Sequence, residues 1–289
     1  MNTNLPQFNA EHYKETTRQQ WDTAAEAWYR WAPLLSRWLG EATNTMLDMS
    51  EIGRGDRVLD VAAGAGEQSL VAARRVGVNG HVLATDISTH ILSFAEQSAK
   101  LAGLKNITTR VIDGENLHTL DAKPFNAVIS RVGLIYFPDQ IKALNGMMQQ
   151  LKVGGKVAAM VYSTADKNAF FSIPVSIIRR RANLPAPLSG QPGPFSLGAE
   201  GTLEDLFCRA GLKQIEVRRI NAPVRLESAA ECLQFEQESF GALHQMISGM
   251  STTEQDETWD EIEDALAQFV VDGQFVGPCE MLVAAGTKE

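Results

Sequence analysis

Short apolar runs alternate with amphipathic stretches along the first half of the chain. Strands that are buried on both faces of a parallel sheet have this continuous apolar character, whereas helices place apolar residues three and four positions apart. The apolar runs cover Val58–Val61, His81–Thr85, Asn106–Ile112, Phe125–Arg131 and Lys156–Tyr162, with an amphipathic helix expected over Gln140–Leu151. The pattern predicts an α/β fold built on a doubly wound parallel sheet.

The flanking parts of the chain carry other patterns. At the N-terminal end we expect two helices, over Glu11–Arg30 and Pro33–Met49. Residues 163–200 are rich in proline and glycine and are predicted to be irregular. The sequence then predicts a helix over Gly201–Ala210 with Thr202 as its N-cap, a sixth strand over Lys213–Leu226, a mostly helical stretch over 227–272 and a last strand over Cys279–Thr287.

Two strand ends carry the first chemical signal. The first apolar run leads through Asp60 into the turn Ala62-Ala63-Gly64-Ala65-Gly66, and the second ends at Asp86. Glycines after a strand let the backbone turn tightly and approach a ligand. An acid at the end of the next strand accepts hydrogen bonds from a ribose diol. Together these features predict a nucleoside site at the carboxyl edge of the sheet.

The charge around this turn selects among nucleosides. A dinucleotide site favours G-x-G-x-x-G, but Ser69 stands at the third glycine position, and Asp60 and Glu67 lie where a pyrophosphate would bind. Two carboxylates repel a diphosphate and attract a cationic amino acid. S-adenosylmethionine carries an ammonium and a sulfonium and no phosphate. The local charge therefore favours this cofactor over a nicotinamide dinucleotide.

The third and fourth apolar runs also end in polar residues. Asp113-Gly114-Glu115 follows the third run, where an adenine amino group would find a carboxylate. The fourth run ends in Ser130-Arg131. Arg131 has two interpretations, a structural ion pair at the strand end and a wall of the cofactor pocket, and we adopt the second.

With these motifs in this order, the chain resembles the class I S-adenosylmethionine-dependent methyltransferases. Within them it is most similar to the small-molecule branch typified by the ubiquinone/menaquinone-biosynthesis enzymes. The motifs are Val58–Gly66, Thr85–Ser88, Val111–Asn116, Phe125–Asp139 and Leu151–Val157, and the resemblance covers residues 50–220 best. It implies a Rossmann-like, seven-stranded sheet of order 3-2-1-4-5-7-6 whose last strand is antiparallel. The segment Lys152-Val153-Gly154-Gly155 departs from the family's Lys-Pro-Gly-Gly and changes only a turn stiffener.

This resemblance divides the chain into a core and additions that cover it. The core comprises residues 51–165, which bind the cofactor, 201–226, a helix and strand, and 276–289, the final strand. The additions are an N-terminal helical lid (1–50), a Pro/Gly-rich cap loop (166–200) and a helical cap insertion (227–275). Trp21, Trp28 and Trp31 crowd the first helix. This aromatic face either docks the helix on the core or closes over the cofactor and an apolar substrate.

Motifs and resemblance together give the candidate site residues. For the cofactor they are Tyr29, Asp60, Ala62, Ala63, Gly64, Gly66, Asp86, Ile87, Asp113, Gly114, Glu115, Ser130 and Arg131. Methyl transfer mainly needs positioning and exclusion of water, and it needs a base only when the acceptor must lose a proton. His244, in the cap insertion, and His12, on the first helix, are the candidates for that base by position. No carboxylates cluster with ligand spacing, so we expect no metal.

Composition narrows the partners. A formal charge of −9 and a pI near 5.2 argue against binding to nucleic acid, and Ser130-Arg131-Val132-Gly133 lacks the motif that stacks on a flipped base. Three widely spaced cysteines indicate a reducing compartment. Neither a signal peptide at Met1–Asn4 nor a run of about 20 apolar residues appears. We therefore expect a cytoplasmic protein without a membrane span, with a homodimer as one possible assembly.

These observations predict an S-adenosylmethionine-dependent methyltransferase that acts on a small, largely apolar organic acceptor, by C- or O-methylation. Three alternatives stay open. They are a methyltransferase for a protein or tRNA, a non-catalytic cofactor-binding partner subunit, and a nicotinamide-dependent oxidoreductase.

Overall fold

A computed structural model describes residues 8–188 and 191–289. The helices are α1 (Ala10–Arg30), α2 (Ala32–Met49), α3 (Glu67–Val76), α4 (Thr89–Leu101), α5 (Gln140–Gln150), α6 (Ala169–Arg181), α7 (Thr202–Arg209), α8 (Ala229–Ser239), α9 (Gly241–Ile247) and α10 (Thr252–Leu266). The strands are β1 (Arg57–Val61), β2 (His81–Asp86), β3 (Ile107–Val111), β4 (Phe125–Arg131), β5 (Leu151–Tyr162), β6 (Lys213–Asn221), β7 (Val224–Leu226), β8 (Val270–Val271), β9 (Gln274–Gly277) and β10 (Glu280–Thr287). Short 3-10 helices cover Gly114–Thr119, Leu134–Tyr136, Ala165–Lys167 and Ala267–Phe269. The assignments made for Met1–Asn4, for the start of the N-terminal lid and for residues 189–190 of the cap loop lie outside the described residues.

The main sheet has seven strands in the order β3-β2-β1-β4-β5-β10-β6. Strands β1 to β5 are parallel, and β10 runs antiparallel between β5 and β6. Because β10 is the seventh strand of this sheet along the chain, the order 3-2-1-4-5-7-6 and the antiparallel last strand are confirmed. The fold is Rossmann-like, as expected.

The sheet order reverses direction between β1 and β4. From β1 the chain steps outward to β2 and β3, and then returns to place β4 on the other side of β1. The connections that leave these two strands diverge to opposite halves of the sheet, which opens a crevice at the carboxyl ends of the strands. This is where the predicted site residues meet.

Burial of β-branched and aliphatic side chains on both faces explains the strand runs. In β1, Val58, Leu59 and Val61 are almost completely buried, and β5 buries every residue from Val157 to Val161. Helix α2 covers one face of the sheet and buries Trp38, whose Nε1 donates a hydrogen bond to the carbonyl oxygen of Ala222 at 2.8 Å. A strand enclosed in this way has no solvent-exposed face to give an alternating pattern.

Three elements differ from the sequence-based expectation. The segment 163–200, expected to be irregular, contains the helix α6, which tolerates Pro174 because Phe170, Phe171 and Ile178 bury its apolar side. The N-cap of α7 is Gly201, with φ +75°, and not Thr202. The helix α6 depends on packing, which the local sequence does not show. The N-cap of α7 falls on a glycine because the backbone there is left-handed.

The predicted sixth strand was also wrong in its extent. Instead of one strand over Lys213–Leu226, the chain leaves the main sheet after β6 and forms β7, which joins a separate three-stranded sheet of order β7-β9-β8. Pro223 lies at this break and has no N–H group to donate to a ladder. The predicted helical stretch 227–272 does contain α8, α9 and α10, but it ends in β8, and the small sheet itself was not foreseen.

Candidate active site

One cavity lies at the carboxyl edge of the main sheet, beneath α1. It encloses about 1090 Å³ of space not filled by protein atoms, part of it open to solvent. The β1–β3 half of the cavity is lined by Ala62, Ala63, Gly64, Ala65, Asp86, Ile87, Ile112, Asp113 and Gly114. The β4–β5 half is lined by Trp21, Trp28, Trp38, Arg131, Tyr136, Tyr162 and Phe240.

The turn after β1 brings bare backbone to the cavity wall. Gly64 has φ +57°, and a Cβ added there would meet only the Cδ1 of Ile91, at 3.8 Å. Its N–H group donates to Oδ2 of Asp86 at 3.0 Å, which ties the turn to the end of β2. A side chain at this position would therefore enter the space that the cavity leaves for a ligand.

Asp86 is the acid that the sequence placed at the end of β2. Its Oδ1 accepts from the N–H group of Ser88 at 3.0 Å, and its Oδ2 accepts from Gly64. Burial raises the pKa of this carboxyl above the usual range, while hydrogen bonds from three backbone N–H groups oppose the shift. Each oxygen keeps a further lone pair, so Asp86 has acceptors left for a diol.

The third acid, Asp113, has an unexpected partner on the first helix. Nζ of Lys14 lies 2.9 Å from Oδ2 of Asp113 and 2.6 Å from Oε2 of Glu115. Partial burial by itself lowers the pKa of Lys14, but the two carboxylates raise it overall. Lys14 therefore fastens α1 over the β1–β3 half of the cavity. No local pattern of residues indicates this contact, because the partners are about a hundred residues apart.

Arg131 was interpreted either as half of a structural ion pair or as a wall of the cofactor pocket; it forms an ion pair, and it lines the cavity on the β4–β5 side. Its Nη2 donates to Oε2 of Glu67 at 2.8 Å, with the two side chains only 9% and 13% exposed, and both residues line the cavity. Burial raises the pKa of Glu67, and the guanidinium of Arg131 opposes that shift. The ion pair is thus part of the wall itself.

Five of the thirteen candidate cofactor residues do not line the cavity. Asp60 is fully buried below it, where Oδ2 accepts from Oγ of Ser69 at 2.5 Å and burial raises its pKa to about 7. Gly66, with φ +92°, is required for packing, since a Cβ there would lie 2.8 Å from the Cβ of Ala95. These two residues hold the turn in place from behind.

The other three are also displaced for structural reasons. Tyr29 stacks on Phe94 with ring centroids 4.9 Å apart. Glu115 is 4% exposed and is occupied by Lys14 and by the N–H group of Asp139 at 2.8 Å. Ser130 is fully buried, and its Oγ has no hydrogen-bond partner among the described residues. The remaining eight candidates, Ala62, Ala63, Gly64, Asp86, Ile87, Asp113, Gly114 and Arg131, do line the cavity.

Neither candidate base lies beside the cavity. His244 is exposed, with Nε2 bonded to the carbonyl oxygen of Gln237 at 2.6 Å and its ring against Trp259. His12 is exposed near the start of α1. Helix α9 directs Leu243 and Ile247 into the core, and His244 is not part of the cavity lining.

The aromatic wall of the β4–β5 half was only partly foreseen. Trp21 packs edge-on against Tyr136, with centroids 5.4 Å apart, and Trp28 packs against Phe240 at 5.6 Å. The tryptophans were visible as a cluster in the sequence. Tyr162 and Phe240 carried no comparable signal, since they belong to β5 and to the junction of α8 with α9.

Two further findings describe the chain as a whole. In the two described ranges, no three or more His, Cys, Asp or Glu side chains group as they would around a metal ion. None of the helices in these ranges is long and apolar enough to span a bilayer.

Comparison with known proteins agrees with this architecture. A family model described as a methyltransferase domain matches residues 52–181. An uncharacterised protein of Mycobacterium tuberculosis is 31% identical over 265 residues, which are 89% of each chain. A ubiquinone/menaquinone biosynthesis C-methyltransferase of Idiomarina loihiensis is 33% identical over 118 residues, 40% of this chain and 47% of that one.

A solved structure extends the comparison to the fold. A phosphoethanolamine N-methyltransferase of Haemonchus contortus, in complex with S-adenosylhomocysteine, aligns with a TM-score of 0.58 at 18% identity. The alignment covers 98% of this chain and 60% of the other. At that identity the likeness concerns the fold.

Proposed function

This chain belongs to the class I S-adenosylmethionine-dependent methyltransferases, and from that premise we propose that it methylates a small, largely apolar organic acceptor. Its cofactor is S-adenosylmethionine. The observation that carries the proposal is the division of one cavity into a half lined by backbone and carboxylates and a half lined by aromatic rings. A relative named for C-methylation in ubiquinone and menaquinone biosynthesis supports an acceptor of this kind.

The β1–β3 half fits the cofactor on three counts. Asp86 keeps acceptors for the ribose hydroxyls, and Asp113 keeps an acceptor for the adenine amino group, because a carboxylate has about four lone-pair sites. The open space above Gly64 leaves room for the ligand against bare backbone. Carboxylates in this wall also favour a ligand that carries positive charge.

The reaction asks little covalent help of the protein. S-adenosylmethionine supplies an electrophilic methyl group on a sulfonium, and its departure leaves a neutral thioether. The residues of the chain therefore act mainly by holding the two ligands in one cavity and by excluding water from it. Trp21, Trp28 and Phe240 form an apolar cover on the acceptor side, and Lys14 fastens α1 above the cofactor side.

We propose that α1 acts as the lid over the bound pair of ligands. The helix is held at both ends of the cavity, to the core through Lys14 and to α8 through Trp28, whose Nε1 donates to the carbonyl oxygen of Ser239 at 2.9 Å. Between them, Oδ1 of Asp22 accepts from Oγ of Ser88, directly after β2. A homodimer, a cytoplasmic location and an absence of nucleic-acid partners remain predictions from the sequence.

The proposal is tested in two steps. Calorimetry with S-adenosylhomocysteine measures the cofactor site, where Asp86→Ala is expected to weaken binding by about 1.5–3 kcal/mol, the contribution of hydrogen bonds to a charged acceptor. Asp56→Ala is the matched control, because Oδ2 of Asp56 also accepts from a loop N–H group, that of Gly53, but lies outside the cavity. Equal affinity in the two variants would contradict the assigned site.

The second step identifies the acceptor class. Transfer of a radiolabelled methyl group from S-adenosylmethionine into a host extract is followed by partition into organic, RNA and protein fractions. Label in the organic fraction is expected. Label confined to RNA or protein would overturn the small-molecule acceptor and leave the cofactor site intact.

A further inference from the structure

Two tyrosine hydroxyls in the β4–β5 half have no hydrogen-bond partner among the residues that the structure describes. Tyr162 is 2% exposed, yet its hydroxyl bonds to no residue within 8–188 or 191–289 and is not among the polar atoms sealed from solvent. The small solvent-accessible surface of this hydroxyl therefore lies in the cavity, which Tyr162 lines. Tyr136, on the turn after β4, lines the same half, and its hydroxyl likewise has no partner in that part of the chain.

The guanidinium of Arg131 adds further donors beside them. Of its five N–H groups, one binds Glu67 at 2.8 Å, and another approaches Oγ1 of Thr43 at 3.4 Å. The other N–H groups have no partner among the described residues. Burial raises the pKa of the Tyr162 hydroxyl well above its usual value, and the charge of Arg131 partly opposes that shift.

These groups all donate at neutral pH. Burial raises the pKa of the Tyr136 and Tyr162 hydroxyls, so both stay protonated, and the guanidinium does not lose its proton. Two carboxyl groups lie near them. Glu67 is already bound to Arg131, and Glu236, which acts on Tyr162, is fully buried outside the cavity lining, with its own pKa raised by burial. A ligand that fills this half must itself supply the acceptors, and negative charge on that acceptor strengthens each bond.

We propose that the β4–β5 half binds the methyl acceptor through an anionic oxygen on a planar ring. Arg131 and the hydroxyls of Tyr162 and Tyr136 receive the oxygen. The rings of Trp21 and Phe240 pack against the body of the acceptor. This deepens the proposed function, on which it rests, because it takes the acceptor to occupy the half of the cavity that the cofactor leaves free.

An anionic acceptor requires neither a histidine nor a tyrosine base in this half of the cavity. Both histidine candidates are at the surface. The two tyrosines keep their hydroxyl protons at neutral pH, because their pKa values are raised, and so they do not act as bases. An acceptor that enters already ionised needs no proton removed. A ring carboxylate and a phenolate or enolate share this chemistry, and the two are separated by the choice of probe.

The experiment measures binding to the complex with S-adenosylhomocysteine, by quenching of tryptophan fluorescence and by calorimetry. One pair of probes is 1-naphthoate and its neutral isostere 1-naphthamide, for a carboxylate. The other is 2,4-dinitro-1-naphtholate and its methyl ether, for a phenolate. The wild-type complex is expected to bind at least one anion about tenfold or more tightly than its neutral partner, the size expected of a charge-assisted hydrogen bond.

Substitutions then assign that preference to the named groups. Arg131→Gln is expected to abolish it, Arg131→Lys to restore part of it, and Tyr162→Phe to reduce it several-fold. Glu67→Gln is expected to increase it, because the carboxylate that partly neutralises Arg131 is lost. Tyr29→Phe, which removes a hydroxyl from a half-buried α1 residue that stacks on Phe94 outside the cavity lining, is the matched control and leaves it unchanged.

The outcomes separate this inference from the function it rests on. Failure to bind S-adenosylhomocysteine contradicts the proposed function. Binding of S-adenosylhomocysteine with equal affinity for anions and neutral isosteres, or with no binding of either anion, overturns the anionic acceptor alone. A preference that persists in Arg131→Gln also overturns it, provided that circular dichroism shows the variant to be folded. A loss of S-adenosylhomocysteine affinity in Arg131→Gln with an unchanged probe preference assigns Arg131 to the cofactor and overturns it too.

Discussion

The two halves of the cavity are formed by different kinds of structural element. The β1–β3 half consists of turns that directly follow strands, with Gly64, Asp86 and Asp113 each within a few residues of a strand end. The β4–β5 half consists of side chains from α1, α2, the end of β4 and the turn after it, β5 and the junction of α8 with α9. Local sequence specifies the first half because strand end and turn are adjacent in the chain. The second half exists only after helices far apart in sequence have packed together.

The largest effect is expected from filling the backbone turn of the β1–β3 half. Gly64→Val places a branched side chain in the cavity at φ +57°, and binding of S-adenosylhomocysteine is expected to fall below detection by calorimetry. The matched control is Gly55→Val, which imposes comparable strain at φ +85° on a glycine with open space around it, away from the cavity. Both variants lose about 1–3 kcal/mol of stability to backbone strain, and only the first loses the ligand. Loss of binding in the Gly55 variant as well would show that strain and not occupancy is responsible.

An effect of intermediate size is expected at Asp60, which supports the turn after β1 from below the cavity, whereas Asp86 and Asp113 line the cavity. Asp60 has a pKa of about 7 in the folded protein, against 3.8 for the ordinary group, chiefly because it is buried. Between these values the folded state keeps a proton that the unfolded state has released. The group therefore destabilises the fold increasingly as pH rises from 4 to 7, and its contribution is constant above 7.

Asp60→Asn removes that dependence and keeps an acceptor for Ser69. Relative to the wild type, its free energy of unfolding is expected to rise by about 2–3 kcal/mol between pH 5 and pH 8, as measured by chemical denaturation. The affinity for S-adenosylhomocysteine is expected to differ from that of the wild type by less than about threefold, which is less than the contribution of one hydrogen bond. The exposed Asp121→Asn is the control, and a difference independent of pH would contradict the burial of charge at Asp60.

The smallest effect is expected from the ion pair that joins the C-terminal end of α1 to α8. Glu238 on α8 accepts from Nη2 of Arg30 at 2.8 Å and from Nε1 of Trp31 at 2.6 Å, but Arg30 is half exposed. Glu238→Gln is expected to cost under about 1 kcal/mol in thermal or chemical unfolding. Glu41→Gln, at an exposed position of α2, gives the baseline. A loss well above that limit would mean that charge, and not aromatic packing, attaches α1 to the cap.

The sequence predicted the fold and the β1–β3 half in detail. The five parallel strands and the N-terminal helices were located to within a few residues, except at the start of β5, and the turn at Gly64 with the acids Asp86 and Asp113 was placed at the cavity. Asp60 and Gly66 belong to the same turn, but a motif does not say which of its residues face the ligand and which face the core. That distinction depends on Ser69 and Ala95, which lie on neighbouring helices.

The pattern of residues was enough to predict the parallel strands, the glycine turn after β1 and its acidic partners, because backbone turns and strand ends are short-range features of a chain. The order of the strands followed from the family resemblance. Three features depend on tertiary packing. Lys14 pairs with Asp113, Arg131 pairs with Glu67 inside the cavity wall, and the two candidate histidines lie at the surface. Each of these is a contact or a position set by how helices pack on a sheet. The identity of the acceptor site therefore depends on long-range packing, which no local pattern of residues records.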